Sequence, residues 1–286
     1  MDTAAFDFFV DETKCLHCGR CAAECVYDVL KITPEGRIIA DDAGRKNCIS
    51  CQHCMTVCPA GAFSFNGLNP ESWEKDNDIS QQDIYPALKE RIRFRRSIRR
   101  YRQENVDSAL LGDILDQMKY VPTGVNYRHL AFTVVSDHQV MEQLRCAVYR
   151  KLAQCCKDDP ENPKLQKFSP CVDAYFKFGK DVIFRTAPHL ILAGTQENAP
   201  CKEVDPLIAL SYFEMLANTR GIGTVWCGRL MWLLDAMPEL KNILALPDHA
   251  QMRYAMLFGV PEWQHYRPAQ PEPVAIRFVG SSDIEL

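Results

Sequence analysis

Two groups of four cysteines constrain this chain more than any other feature. The first group reads CLHCGRCAAEC and the second reads CISCQHCMTVCP, so each has the spacing C-x2-C-x2-C-x3-C. Each cysteine of the first group stands 33 residues before its counterpart in the second, which makes the two groups an internal repeat. Thiolates are metal ligands, and the repeat predicts two similar metal centres in the first part of the chain.

Three thiolates at x2 spacing wrap one face of an iron-sulfur cubane, and the fourth ligand comes from the other repeat. The predicted ligands of one [4Fe-4S] cluster are Cys15, Cys18, Cys21 and Cys58, and those of the other are Cys48, Cys51, Cys54 and Cys25. A pair of zinc sites is the alternative, because zinc is also held by four cysteines arranged in C-x2-C pairs. A run of three cysteines at this spacing is unusual for zinc.

Residues 6 to about 66 resemble the bacterial two-cluster ferredoxins, including short strands predicted in FFVDET and GAFSFN. Val26 is a departure, since those ferredoxins usually have proline after the fourth cysteine of the motif. The resemblance implies a small α+β domain. Because cysteine fills all four ligand positions of each predicted cluster, we expect the clusters to carry electrons and another part of the chain to use them.

The start of the sequence does not resemble a secretory signal, which predicts a cytoplasmic protein. Because cytoplasmic thiols stay reduced, the 14 cysteines of the 286-residue chain favour metal ligation over disulfides. No apolar run is long enough to span a membrane. Residues 1–90 carry 15 acidic and eight basic side chains, whereas the remainder is slightly basic. We therefore predict a ferredoxin-like domain at 1–66, a polar linker at 67–88 and a second domain at 89–286.

The second domain alternates helical and strand patterns, which predicts an α/β arrangement and an α+β class for the whole chain. Helices are predicted in ALKERIRFRRSIRRY from about residue 87, in DSALLGDILDQMKYV, in HQVMEQLRCAVYRKLAQCC and in DPLIALSYFEMLANTRGIG. Strands are predicted in HLAFTVVSD, PHLILAGT and MRYAMLFGVP, and TVWCG is predicted to lead off a strand or a turn. No G-x-G-x-x-G or Walker A pattern supports a dinucleotide or P-loop fold.

Five motifs in residues 91–266 resemble the nitroreductase family of FMN flavoproteins in their order. They are RRSIR at 95–99, PTGVN at 122–126, APHLILA at 187–193, RGIGTVWCG at 220–228 and FGVP at 258–261. Alone, PTGVN could be a turn, and RGIGTVWCG could be a helix end followed by a core strand. Together they imply a nitroreductase-like domain that binds FMN.

The resemblance also implies which residues hold the cofactor. The predicted FMN-binding residues are Arg95, Arg96, Ser97, Arg99, Asn126, Cys227, Gly228 and Arg267. Arginine forks and a serine hydroxyl suit a phosphate, and a cation beside the flavin pyrimidine edge stabilises the reduced ring. The backbone N–H groups of Cys227 and Gly228 are expected to face the flavin N5 and O4 atoms. His129 is a candidate proton donor, although a lone histidine is more often structural.

The stretch RIRFRRSIRRYR at 91–102 holds seven arginines, more than the resemblance uses. We interpret Arg91, Arg93, Arg100 and Arg102 as surface or domain-contact residues. Nucleic-acid binding is disfavoured, because the net charge is −4 and no reading module is visible. The motif continues as NYRHL, where many family members have N-x-Q-P-W, so the lining of the pocket and the substrate are left open.

These features predict an enzyme, an FMN-dependent iron-sulfur oxidoreductase that reduces a nitroaromatic, a quinone or another small conjugated acceptor. The electron donor would be a ferredoxin-type protein, another reductase or NAD(P)H, and the family resemblance implies a homodimer. One alternative is a protein that passes electrons between protein partners without a small substrate. A redox sensor is another alternative, but the DNA-reading element that it would need is not visible.

Overall fold

The computed structural model describes residues 7–72 and 81–284 of the chain. Residues 7–72 contain β1 (Phe8–Val10), α1 (Arg20–Ala23), β2 (Lys31–Ile32), β3 (Ile38–Ile39), α2 (Asp42–Lys46), α3 (His53–Thr56) and β4 (Phe63–Phe65). β1 pairs with β4 and β2 pairs with β3, both antiparallel. A small core of Val29, Leu30, Met55, Phe63 and Phe65 contacts several of the cysteines. The strands predicted in FFVDET and GAFSFN are confirmed as β1 and β4.

Residues 81–284 form a larger layered unit around a four-stranded antiparallel sheet. Its strands are β5 (Leu130–Val135), β6 (His189–Thr195), β7 (Gly223–Trp226) and β8 (Gln251–Gly259), in the order β5-β6-β8-β7. β6 is buried along its whole length. Its side chains alternate between two cores, because successive residues of a strand point to opposite faces of the sheet. Leu190 and Leu192 join one core, while Ile191 and Ala193 join the other.

Seven helices accompany this sheet. They are α4 (Gln81–Phe94), α5 (Ser108–Asp116), α6 (His138–Asp158), α7 (Pro163–Gln166), α8 (Ser169–Phe178), α9 (Asp205–Thr219) and α10 (Gly228–Ala236). α6, α8 and α10 contribute to the core on one face of the sheet, and α5 and α9 to the core on the other. This mixed architecture confirms the predicted fold class. No helix within the described ranges is long and apolar enough to cross a membrane.

The arginine-rich stretch is helical only in its first part, which corrects the prediction of one helix through residue 101. α4 ends at Phe94, and Ser97 forms a parallel bridge with Thr224 of β7. The N–H of Ile98 donates to the Thr224 carbonyl at 2.9 Å. A Cβ on Gly223 would lie 2.5 Å from Ile98, so glycine allows the two segments to approach closely. The unpaired edge of β7 therefore takes RRSIR as an additional extended segment.

α4 begins inside the segment predicted as a linker at 67–88, so that segment is not irregular throughout. Residues 73–80 of the predicted linker lie outside the described residues. The domain boundaries at residues 66 and 89 stay predictions. Three helices of the larger unit, α7, α8 and α10, were not predicted, and all three are short, with four, ten and nine residues.

Buried His189 gives the fold a dependence on pH. Its Nε2 accepts the Val106 N–H at 3.0 Å, and burial lowers the pKa of the imidazole to about 4. The unfolded chain therefore binds an additional proton between about pH 6.5 and pH 4. We expect this residue to reduce the free energy of unfolding by up to about 1.4 kcal/mol per pH unit as the pH falls through that range.

Urea titrations of wild type and His189→Gln between pH 7 and pH 4.5 measure this contribution, because the amide does not titrate. The slope of stability against pH should be shallower in the variant. Equal slopes in the two proteins would contradict the assignment to His189.

Candidate active site and metal centres

The first cysteine site is an open cavity of about 400 Å³ in the small N-terminal part of the chain. Its cysteine lining is Cys15, Cys18, Cys21 and Cys58. The chain brings Cys58 here from the second motif, and it lies close enough to Cys21 to raise the pKa of that thiol together with burial, which is the larger cause. The four residues therefore fit the predicted ligand set of one cluster.

In the second cysteine site, the residue that comes from the other motif is Cys25, which lies beside Cys48. Burial raises the pKa of the Cys48 thiol, and the neighbouring Cys51 and Cys25 add to the effect. Burial also raises the pKa of Cys54 to about 12, with smaller contributions from Cys51 and Cys48. A thiol with so high a pKa is protonated at neutral pH unless a metal centre stabilises its thiolate. The position of Cys25 beside Cys48 is the one that the predicted ligand set of this cluster requires.

The backbones of the two motifs match at positions 33 residues apart. His17 and Ser50 have φ of 50° and 54°, and Gly19 and Gln52 have φ of 72° and 65°. The N–H of His17 donates to the Cys15 sulfur at 3.4 Å, and the N–H of Ser50 donates to the Cys48 sulfur at the same distance. Hydrogen bonds to ligand sulfurs orient the ligands and tune the potential of a cluster. The sequence repeat is therefore also a repeat of site geometry.

The spread of the sulfurs bears on the zinc alternative. In the ranges that the structure describes, no three Cys, His, Asp or Glu side chains converge as ligands of a single ion would. A zinc site holds its sulfurs about 2.3 Å from one metal. A cubane is a larger body and holds its four cysteines farther apart. The cysteine spacing, three thiols at x2 intervals followed by a fourth, is the observation that favours [4Fe-4S] clusters over zinc ions.

A second candidate site is an open cleft of about 590 Å³ at the end of β7. It is lined by Arg99, Ile183, Arg185, Val225, Trp226, Cys227, Gly228, Arg229, Trp232 and Leu257. The fold thus brings together three residues from two separate motifs, Arg99, Cys227 and Gly228. Arg99, Arg185 and Arg229 have no carboxylate within 4.0 Å among the described residues. The cleft is therefore positively charged and suits an anionic ligand.

Buried Glu214 of α9 positions the motif on this side of the cleft. Its carboxylate accepts the Thr224 hydroxyl at 2.8 Å and the Trp226 indole N–H at 3.1 Å. It also pairs with the Arg95 guanidinium at 3.3 Å. One carboxylate thus ties the RRSIR segment to β7 and fixes the Trp226 ring at the cleft. Since Arg95 is partly neutralised here, its charge is less available to a ligand than that of Arg99.

The two backbone positions at the start of α10 differ in their availability. The N–H of Cys227 donates to the Ala255 carbonyl at 2.9 Å and is engaged within the sheet. The N–H of Gly228 has no acceptor within the described part of the chain, as is usual in the first turn of a helix. Burial raises the pKa of the Cys227 thiol to about 12, which keeps it protonated. Two backbone N–H groups, those of Cys227 and Gly228, were predicted to face the flavin. In the described part of the chain, only the N–H of Gly228 is free to bind a ligand.

Comparison with known proteins agrees with this arrangement. Residues 92–260, more than half of the chain, match the model of the nitroreductase family. The chain belongs to the nitroreductase family. Residues 14–62 match the model of the 4Fe-4S dicluster domain. The chain is thus an oxidoreductase-family domain preceded by a ferredoxin-type domain.

Some relatives match the ferredoxin-type domain, and others match the nitroreductase domain. Ferredoxin-3 of Nostoc sp. (strain PCC 7120) is 33% identical over 81 residues, covering 23% of this chain and 84% of that protein. YfhC of Bacillus subtilis (strain 168) is 26% identical over 183 residues, which cover 62% of this chain and 86% of that protein. Its name describes an NAD(P)H nitroreductase. A nitroreductase structure from Desulfitobacterium hafniense DCB-2 with bound FMN aligns with a TM-score of 0.52 at 19% identity. The alignment covers 68% of this chain and 98% of that chain. That structure supports the fold.

The nitroreductase motif PTGVN lies away from the cleft. Asn126 precedes β5, which is the edge strand opposite β7, so about three strand spacings of roughly 4.8 Å separate the two edges. The Asn126 side-chain amide donates to the carbonyl of Ile49, next to Cys48, at 2.9 Å. Val125 and Asn126 have φ of 47° and 54°, which is unfavourable for a β-branched residue such as valine. One chain therefore does not bring Asn126 to Gly228.

Five other predicted residues also lie outside the cleft lining, namely Arg95, Arg96, Ser97, His129 and Arg267. Arg96 is exposed, and Arg267 is exposed in the irregular segment that follows β8. His129 is exposed and packs against the Tyr127 ring at 4.6 Å between centroids. No contact among the described residues places Arg96, Arg267 or His129 at the cleft of the same chain, and their predicted roles stay predictions.

Sequence reasoning missed two of the cleft arginines. Arg185 lies in a loop without a motif, and Arg229 follows the RGIGTVWCG motif directly. The only signal for Arg229 was its position next to Gly228 at the start of α10. Arg185 had no signal, because residues far apart in the chain bring it to the cleft.

Proposed function

We propose that the chain is an FMN-dependent oxidoreductase that reduces a small conjugated acceptor with electrons supplied through two [4Fe-4S] clusters. The main support for this proposal is the cleft, which Arg99 and Gly228 line together although they belong to two different nitroreductase motifs. The arginines of the cleft give it a positive charge. When bound, the clusters supply single electrons and FMN supplies a pair. The two cysteine sets and the cleft fit these groups.

The residues of the cleft have defined roles in this proposal. Arg99 places a permanent cation where negative charge on the reduced ring is stabilised. The free Gly228 N–H at the start of α10 donates a hydrogen bond, and the helix N-terminus adds partial positive charge. A Cβ on residue 228 would lie 3.2 Å from the Tyr254 hydroxyl, so glycine keeps the approach to this N–H open. Trp226 and Trp232 offer aromatic surface to a conjugated acceptor.

We propose further that the working unit is a homodimer. Asn126 and the cleft belong to opposite edges of one sheet, so a second copy would bring Asn126 to the cofactor. The segment after β8 exposes large apolar side chains, including Trp263 at 65% and Phe278 at 89%. Exposed apolar surface of this kind is typical of a chain that lies against a partner. A cytoplasmic location suits eight ligand cysteines that must stay reduced.

The cofactor content is the direct test of this function. Protein purified anaerobically should show broad iron-sulfur absorption beneath flavin peaks, and it should release FMN on denaturation. Reduced protein should then be reoxidised by nitroaromatic compounds or quinones. Zinc without flavin would overturn the proposal. Reoxidation only by a protein acceptor would instead favour an electron-transfer protein, and comparing reduction by NAD(P)H and by reduced ferredoxin would identify the donor.

A double substitution locates the flavin. Arg99→Ala with Ser97→Ala should weaken FMN binding by about tenfold or more, since hydrogen bonds to charged groups contribute roughly 1.5–3 kcal/mol each. FMN content after dialysis measures the loss, and iron content should not change. Arg100→Ala, an exposed neighbour outside the cleft lining, is the matched control and should retain FMN. Parallel loss of iron and FMN would contradict the assigned location.

A further inference from the structure

The cleft holds more positive charge than the proposed cofactor contacts use. Arg99 suffices for the pyrimidine edge of the flavin, and Gly228 for a hydrogen bond to the ring. Arg185 and Arg229 line the same cleft without a carboxylate partner among the described residues. Unpaired guanidinium groups beside each other repel, so an anion between them would be bound favourably.

The loop that carries Arg185 is built around one buried carboxylate. Asp181, with a side chain only 1% exposed, accepts the N–H groups of Ile183 at 3.1 Å, Phe184 at 2.8 Å and Thr186 at 2.8 Å. Arg145 pairs with the same carboxylate at 2.9 Å. The backbone on both sides of Arg185 is therefore fixed, which orders the position of its side chain at the cleft.

Arg185 also occupies a costly backbone conformation. Its φ is 56°, and that of the following Thr186 is 54°, whereas glycine or asparagine would adopt this region more easily. Strain of this kind persists only where the surroundings impose it, and it concentrates at functional sites. An arginine side chain held at this position by Asp181 is the pattern expected of a ligand-binding residue.

The opposite wall is supplied by α10. Arg229 and Trp232 are three residues apart and lie on one face of that helix, where both line the cleft. Trp226 beside them is fixed by its hydrogen bond to Glu214. A ligand with a planar conjugated body and an acidic group matches this combination of indole rings and guanidinium forks.

We propose that this cleft selects an acceptor that carries a carboxylate, which Arg185 and Arg229 bind while its conjugated part faces the tryptophans. The inference rests on the proposed function and names the substrate class of the same site. The FMN phosphate is the competing anion for these two arginines, because Arg99 of RRSIR lines the same cleft, and the FMN content of the variants distinguishes the two ligands. Asp181 is the positioning residue of Arg185.

Equilibrium binding of 4-nitrobenzoate and its neutral analogue 4-nitrobenzamide to the oxidised holoenzyme tests this inference by calorimetry. Wild type should bind the carboxylate about tenfold or more tightly than the amide, with a preference that weakens as salt is added. Arg185→Ala should lose most of the preference while amide affinity and FMN content stay close to wild type. Arg229→Ala should reduce the preference independently, and Arg150→Ala, exposed on α6, is the matched control.

Three results would overturn the inference. These are equal binding of the two probes by wild type, an unchanged preference in both cleft variants, and loss of FMN in Arg185→Ala, which would assign Arg185 to the cofactor. Failure of the proposed function is distinguishable, because the wild-type protein would then lack FMN. Equal binding of the two probes by a wild-type protein that holds FMN would leave the proposed function intact and exclude the carboxylate preference alone.

Discussion

Cys58→Ser is expected to remove about half of the iron, from the cluster whose other three ligands belong to the first cysteine motif. The reason is that Cys58 lines the cavity of Cys15, Cys18 and Cys21, although it stands next to the second motif in sequence. Loss of one of four thiolates leaves a cubane with an incomplete ligand set. Iron analysis and electron paramagnetic resonance of the reduced protein measure the change.

The reciprocal variant makes this prediction specific. Cys25→Ser should disturb the other cluster, because Cys25 lies beside Cys48. Cys48→Ser should give the same resonance spectrum as Cys25→Ser and a different one from Cys58→Ser. Cys146→Ser, on α6 and outside both cysteine sets, is the control and should keep all of the iron. Matching spectra for Cys58→Ser and Cys48→Ser would show that each motif fills its own cluster.

Asp181→Ala is expected to destabilise the larger domain by about 3–5 kcal/mol, because it removes the buried carboxylate that pairs with Arg145 and leaves only the exposed Glu142 as a counter-charge. Both side chains are almost completely buried, at 4% and 1% exposure. The substitution also removes the acceptor of three backbone N–H groups and of the Tyr149 hydroxyl at 2.8 Å. We therefore expect the loop that carries Arg185 to lose its folded conformation in this variant.

Urea unfolding of the larger domain, followed by tryptophan fluorescence, measures this loss. Asp173→Ala is a matched control, since its carboxylate pairs with Lys177 on the exposed surface of α8. Exposed ion pairs contribute little, so the control should unfold near the wild-type midpoint. If Asp181→Ala unfolded at the same urea concentration as the control, the carboxylate would not hold the loop.

The sequence predicted the metal centres more completely than the cleft. Cysteine spacing fixes which thiolates wrap a cluster, and the exchange of Cys25 and Cys58 follows from the repeat alone. The apolar patterns also predicted β5, β6 and β8, because buried strands have a strong apolar signature, whereas β7 was predicted only as a strand or a turn. These features depend on local sequence, and so they can be recognised without contacts between distant residues.

The cleft depends on contacts that the sequence does not display. RRSIR looks helical in isolation, but the free edge of β7 and the carboxylate of Glu214 hold it extended, which is a tertiary effect that overrides propensity. Arg185 reaches the cleft only because Asp181 folds its loop. Asn126 was assigned to the same site as Arg99, yet the strand order places their segments on opposite sheet edges. Sheet order cannot be read from the motifs themselves.

The repeated cysteine units have diverged at one matched position. Gly19 and Gln52 share a left-handed backbone, but a Cβ on Gly19 would lie 2.7 Å from Ile32 of β2, whereas Gln52 carries a full side chain. Ile32 belongs to the hairpin of β2 and β3, and Ile38 of the same hairpin lines the cavity of Cys15, Cys18, Cys21 and Cys58. The halves are therefore no longer interchangeable: exchanging their sequences would set a glutamine side chain against Ile32.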